Sequence, residues 1–253
     1  MDGLKQRLVA VTVLACLLVA VCVEVSRAND PKDGHQPRIQ GSTLPLNSMD
    51  GLELQGINEP GAEPAKIQAE VASYRGRRAV RMVDVEGQGV QIGEQGLAIV
   101  KTSDFKDGTI EAEVAGVPRH GAKPSTRGFV GIAFRVQDRG SQFEAFYLRM
   151  TNGRADDQLQ RNHSAQYVSY PDFPWKRLRD ENPGMYESYV DLDAGAWTRI
   201  KIVVSGSKAQ LYVNGADRPC LIVNDLKLVE THGRVALWTG SDTEAYFSNL
   251  TIR

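Results

Sequence analysis

The chain has little cysteine: Cys16, Cys22 and Cys220 in 253 residues. Two of the three fall within the first 28 positions, so a chain trimmed there keeps Cys220 alone and can form no intrachain disulfide. A basic excess is missing as well. With 30 Lys and Arg against 31 Asp and Glu, the chain shows no electrostatic footprint for nucleic acid, and no nucleic-acid partner is expected. Long apolar runs are absent apart from one, at 8–23. That run follows Lys5 and Arg7 and precedes Ser26-Arg27-Ala28, with small residues where a signal peptidase reads, so 1–28 is expected to be a secretory signal peptide. The run also comes close to the ~20 residues that span a bilayer, which leaves a retained anchor as the alternative. Cleavage would remove Lys5, Arg7, Arg27, Asp2 and Glu24, turning 30 basic and 31 acidic residues into 27 and 29, a net charge of −2. After cleavage no membrane partner is expected. The location implied is extracytoplasmic, periplasmic or secreted, with packing rather than disulfides supplying stability.

Sustained apolar spacing at i, i+3, i+4 and i+7 is lacking too, which argues against a helical domain. The segment 29–45, with Pro31, Pro37, Pro45, Gly34 and Gly41 and almost no large apolar side chains, reads as a flexible linker. One domain, 46–253, should follow. Alternating or β-branched stretches punctuated by Gly, Pro and Asn predict strands at 52–57, 67–73, 78–85, 97–102, 109–114, 129–136, 143–150, 198–205, 209–213, 220–223, 233–238 and 245–252. Asp107-Gly108 and Asn214-Gly215 mark turns. Gly87, Gly89, Gly93 and Gly96 neither follow a strand nor open a helix, so they form a loop and not a phosphate cradle. Glu111 and Glu113 alternate with Ile110, Ala112 and Val114 and read as a solvated face. The fold class is all-β, a two-sheet antiparallel β-sandwich, because short strands at regular intervals with long crossing loops suit sheet-to-sheet connections.

The chemistry concentrates between Arg127 and Trp175. Period-2 counting puts Val130, Ile132, Phe134 and Val136 on one face and Gly131, Ala133 and Arg135 on the other. In the next strand Phe146, Leu148 and Met150 separate from Ala145, Tyr147 and Arg149. The polar face is a shallow floor bearing Arg135, Tyr147 and Arg149. A polar loop supplies a wall with Asn152, Arg161, Asn162, Gln166, Tyr167 and Trp175. Arginine, amide and carboxylate groups above aromatic rings are the usual means of holding a sugar, so carbohydrate is the expected partner. His163 lies in the same loop. It could serve as acid or base with Asp156 or Asp157, with Asp172 and Glu187 as other carboxylate candidates, or simply bond loop backbone. Trp197 and Trp238 read as core edge. No cofactor is expected.

F-x-D-G-T-I-E-A-E-V from Phe105, G-F-V-G-I-A-F-R from Gly128, F-E-A-F-Y-L-R from Phe143, W-T-R-I-K-I-V-V-S-G-x-x-A-Q-L-Y-V-N-G from Trp197 and A-Y-F-S-N-L from Ala245 resemble the concanavalin A-like lectin/glucanase superfamily. Within it the chain is most similar to bacterial laminin-G-like proteins and to keto-glycoside hydrolase/lyase domains. The resemblance implies a jelly roll whose concave face meets glycans. Three activities follow from it: carbohydrate binding, glycoside cleavage by a hydrolase or lyase, or laminin-G-like adhesion. It also implies calcium in relatives, often through an aspartate of the final strand, where this chain has Ser248. The paired glutamates of laminarinase-like relatives, E-x-D-x-E, are absent, so a retaining mechanism on two closely set carboxylates is not supported.

Overall fold

In a computed structural model the residues described are 42–58, 65–84, 95–228 and 231–253. All belong to the second of two units into which the chain divides, Arg38–Arg253. The signal peptide expected at 1–28, the linker as far as 41 and glycines 87, 89 and 93 lie outside the described residues.

The alternation in the sequence is realised as fifteen described strands in two antiparallel sheets. They are β1 (Ser42–Leu44), β2 (Leu52–Ile57), β3 (Ile67–Tyr74), β4 (Arg77–Asp84), β5 (Gln95–Val100), β6 (Gly108–Pro118), β7 (Phe129–Val136), β8 (Phe143–Arg149), β9 (Ala165–Tyr170), β10 (Glu187–Ser188), β11 (Thr198–Ser205), β12 (Lys208–Val213), β13 (Leu221–Val223), β14 (Arg234–Gly240) and β15 (Thr243–Ile252). The first sheet runs β13-β12-β11-β6-β15-β4-β3, with β1 also beside β15; the second runs β10-β9-β8-β7-β14-β5-β2. Between them lie Ile110, Ala112 and Val114 of β6, Ile200, Ile202 and Val204 of β11, and Val130, Ile132, Phe134, Phe146 and Leu148 of β7 and β8, all buried. Each large aliphatic or aromatic side chain removed from water in this way contributes roughly 1.5–3 kcal/mol.

The structure departs from the sequence reading once in each sheet. The segment expected as linker contributes β1, because Ser42, Thr43 and Leu44 pair with Ile252, Thr251 and Leu250. The segment expected as one polar loop holds a short helix, α1 (Gln158–Asn162), and then a full strand, β9, before a second helix, α2 (Trp175–Glu181). β9 is buried along nearly its whole length on both faces. It therefore carries no in-out alternation for a sequence reading to find.

Candidate functional site

One transverse row across the second sheet organises the site. Glu187 of β10 faces Gln166 of β9, Gln166 faces Tyr147 of β8, Tyr147 faces Gly131 of β7, and Gly131 faces Trp238 of β14. Directly paired residues point to the same side, so five strands present one residue each to one face. Gly131 makes this row work. A Cβ there would fall 2.2 Å from the Phe146 carbonyl oxygen and 2.6 Å from the Tyr147 backbone, so no larger residue fits. Over the gap it leaves, Tyr147 and Trp238 stack with ring centroids 4.5 Å apart and planes at 21°. The Trp238 indole N–H donates to Gln95 Oε1 at 2.7 Å, which fixes the outer ring.

Arg149 stands two residues along β8 from Tyr147, on the same face by the strand period. It donates through Nη1 to the His163 carbonyl at 2.9 Å, and through Nη2 to the Tyr147 hydroxyl at 3.0 Å and Gln166 Oε1 at 3.1 Å. Gln166 is itself locked by its Nε2, which donates to the Tyr167 and Tyr186 carbonyls. Helix α2 closes the edge. Trp175 and Arg179, one turn apart, reach the same face: the Trp175 ring lies 5.9 Å from the Arg149 guanidinium and 4.8 Å from that of Arg179. Arg179 grips Glu187 with both a 3.0 Å and a 2.6 Å bond, and His163 Nε2 meets the same carboxylate at 3.1 Å.

Burial sets the electrostatics. It pushes the Arg149 guanidinium below its ordinary value and the Tyr147 phenol above its own. Burial also lowers His163, against the raising effect of the Glu187 charge, so the imidazole is neutral at pH 7. With Nε2 held by Glu187, the Nδ1 nitrogen has no protein partner among the described residues.

Of the expected site residues, Tyr147, Arg149, His163, Gln166 and Trp175 converge. Asn152 is buried behind them, donating to the His163 carbonyl and accepting from Gln160 Nε2. Arg161 and Asn162 stay at the rim. The first bonds the Tyr189 hydroxyl and the second accepts from Gln158. Four expectations are corrected. Arg135 is not on the floor: β7 carries one extra residue where Ala133 pairs Ala236 but Val136 pairs Arg234, Arg135 has φ 52°, and its guanidinium turns to the core face to meet Glu144. A one-residue bulge reverses the face on which a side chain emerges. Tyr167 also points to the core face, alternating with Gln166, and its hydroxyl donates to Glu144 Oε1 at 2.8 Å. The carboxylate beside His163 is Glu187 and neither loop aspartate: Asp156 is exposed, and Asp157 caps α1 by accepting from the Gln160 N–H at 2.6 Å. The floor is recessed and not shallow, since Tyr147 and Trp238 are each 4% exposed and Arg149 6%.

Gln95, Gly131, Arg179 and Trp238 were missed. The roles of Gln95, Gly131 and Trp238 depend on strand order, which puts β14 between β7 and β5, and that of Arg179 on where α2 docks; single-strand parity carries no sign of either. Among the described residues no three His, Cys, Asp or Glu side chains converge, and the Ser248 hydroxyl donates to the Arg78 carbonyl.

A two-sheet antiparallel sandwich with a recessed aromatic and guanidinium site on one sheet is the class of protein that fold and site define. The family model of the 3-keto-alpha-glucoside-1,2-lyase-like domain matches residues 49–253, and the chain belongs to that family. No curated protein matches it in sequence. Among solved structures it is similar to a Bacillus subtilis protein of unknown function with a galectin-like fold, at 12% identity over 84% of this chain and 94% of that one, TM-score 0.52. A Bacillus licheniformis beta-glucanase is also 12% identical, over 84% and 97%, with TM-score 0.49. The carbohydrate binding module CBM66 of Bacillus subtilis is 14% identical over 75% and 96%, with TM-score 0.46. At these identities the likeness is one of fold alone.

Proposed function

We propose that the recessed face of the second sheet binds a glycoside. The observation that carries this reading is the stacked Tyr147 and Trp238 pair flanked by Arg149, Gln166 and Trp175, in a member of a family named for a keto-glucoside. Aromatic faces cover the apolar side of a pyranose while amide and guanidinium groups bond its hydroxyls. The leader expected at 1–28 puts this activity outside the cytoplasm.

A second reading, glycoside cleavage, is favoured by the His163 and Glu187 contact. Glu187 fixes the imidazole proton on Nε2 and leaves the Nδ1 lone pair as a base. In a 3-keto glycoside the C2 hydrogen lies next to the carbonyl. Its loss to Nδ1 and departure of the C1 oxygen, which takes a proton back from the imidazolium, would give elimination across C1 and C2. The adhesion reading has no such use for these groups.

One experiment tests both readings. The purified chain is screened for retention of neutral and keto glycosides and for release of the aglycone. Trp238→Ala should weaken retention at least tenfold, and His163→Asn should abolish release while retention persists. Retention indifferent to Trp238 would remove the site from consideration, and release indifferent to His163 would leave a binder only.

A further inference from the structure

A guanidinium has five N–H donors. Arg149 has three engaged, all with neutral acceptors: the His163 carbonyl, the Tyr147 hydroxyl and the Gln166 amide oxygen. Its Nε–H and one Nη1–H have no acceptor among the described residues, and no carboxylate of the described residues forms an ion pair with it within 4 Å. The neighbouring carboxylate, Glu187, is already held by Arg179 and His163. Arg179 and Arg127 add further positive charge around Arg149. A cation 94% buried with no counterion of its own among the described residues is an unfavourable arrangement. The Tyr147 hydroxyl accepts from Arg149, and its own proton has no protein acceptor among the described residues. Three unengaged donor hydrogens, two on the Arg149 guanidinium and one on the Tyr147 hydroxyl that it bonds, therefore meet at the back of the site.

We propose that Arg149, with the Tyr147 hydroxyl, is an oxyanion seat that holds a negatively charged oxygen of the ligand. The inference rests on the glycoside reading and narrows it to sugars that carry or develop negative charge. A neutral hydroxyl would occupy the donors but leave the guanidinium unbalanced, whereas an oxyanion satisfies both. The charge has two possible origins. One is the carboxylate of an acidic sugar. The other is an enolate: a C–H beside a carbonyl breaks, the proton goes to His163 Nδ1, and the electron pair moves onto the carbonyl oxygen, which Arg149 and Tyr147 then hold.

The test follows the Arg149 Nε–H resonance of the full chain by NMR while acetate, methyl glucoside, methyl glucuronide and methyl 3-keto-glucoside are added in turn. A seat for a carboxylate sugar shifts that resonance downfield with methyl glucuronide and not with methyl glucoside, and Arg149→Gln weakens glucuronide binding at least tenfold. A seat for an enolate shows instead in turnover of the keto-glucoside: Arg149→Gln lowers kcat about 100-fold or more with KM little changed, and Arg149→Lys recovers part of it. A shift with acetate while every sugar fails to bind keeps the seat and removes the glycoside reading. Equal shifts with methyl glucoside and methyl glucuronide, combined with unchanged keto-glucoside kinetics in Arg149→Gln, would overturn the proposal. So would the absence of both responses. The resonance is read on the unaltered protein, so the carboxylate arm does not depend on how well the variants fold, and partial recovery in Arg149→Lys separates a lost seat from a misfolded variant in the enolate arm.

Discussion

Arg135 and Arg149 lie on neighbouring strands, both buried, and they differ in what meets them. All five N–H donors of Arg135 are engaged: Nε with the Lys106 carbonyl, Nη1 with Glu144 and the Leu228 carbonyl, Nη2 with Asp107 and the Gly206 carbonyl. Two of those partners are carboxylates. Arg149 has three donors engaged and no carboxylate. The first arginine is complete without a ligand and ties β7 to three segments elsewhere in the chain. The second is incomplete. Burial alone therefore does not mark a functional arginine; the balance of charge and the unengaged donors do.

The largest expected effect lies at the complete arginine. Arg135→Met leaves Glu144 buried beside Tyr167 with its charge uncompensated, and breaking such a pair costs about 3–5 kcal/mol. Chemical denaturation should show a loss of that size, while sugar affinity of the remaining folded fraction changes less than twofold. An Arg135 variant that kept its stability but lost ligand would invert the comparison, making Arg135 the functional residue.

Much of the fold was legible because one face of most strands is core. Val130, Ile132 and Phe134, or Ile200, Ile202 and Val204, announce themselves by alternation, and the structure places them as counted. The same counting failed at Arg135, where a bulge inverts parity, and in β9, where both faces are covered. At the site, Tyr147 and Arg149 were legible from strand parity, and Gln166 only as a member of the polar stretch. Trp238 and Gly131 were not, since their meaning arises only when β14 and β8 flank β7. The His163 partner was among four candidate carboxylates, and single-strand reading could not choose between them. Asp156 and Asp157 are nearer in sequence, yet β10 pairs with β9 and delivers Glu187 from 24 residues away.

A smaller effect sharpens the view of that partner. Burial holds His163 below the ordinary histidine value of about 6.5, and the Glu187 charge works against it. Removing that charge in Glu187→Gln, with Arg179 left unpaired, takes the His163 pKa lower still. In an NMR titration the imidazole midpoint should fall relative to the parent, and the acid limb of any activity should move to lower pH with it. The stability consequence has a fixed sign. The unfolded chain takes up this proton at higher pH than the folded one, so stability contributed by the neutral imidazole is complete above about 6.5 and lost as the pH falls below it. An upward midpoint in the variant would mean that Glu187 does not hold the ring.

The smallest effect separates Asp157 from Glu187. Asp157 caps α1 through the Gln160 N–H, and an N-cap replaced by Ala costs about 1 kcal/mol. Helix α1 leads directly into His163, whose carbonyl receives both Arg149 and Asn152, and the Asp157 charge also raises His163, though less than that of Glu187. Asp157→Ala should thus lower stability by about that amount and lower the His163 midpoint by less than Glu187→Gln does. If the midpoint instead moved as far as it does in Glu187→Gln, the Asp157 charge would be acting on the ring as strongly as the Glu187 contact. The pairing expected from proximity in sequence would then hold in solution, and the contact with Glu187 would lose its part in setting the base.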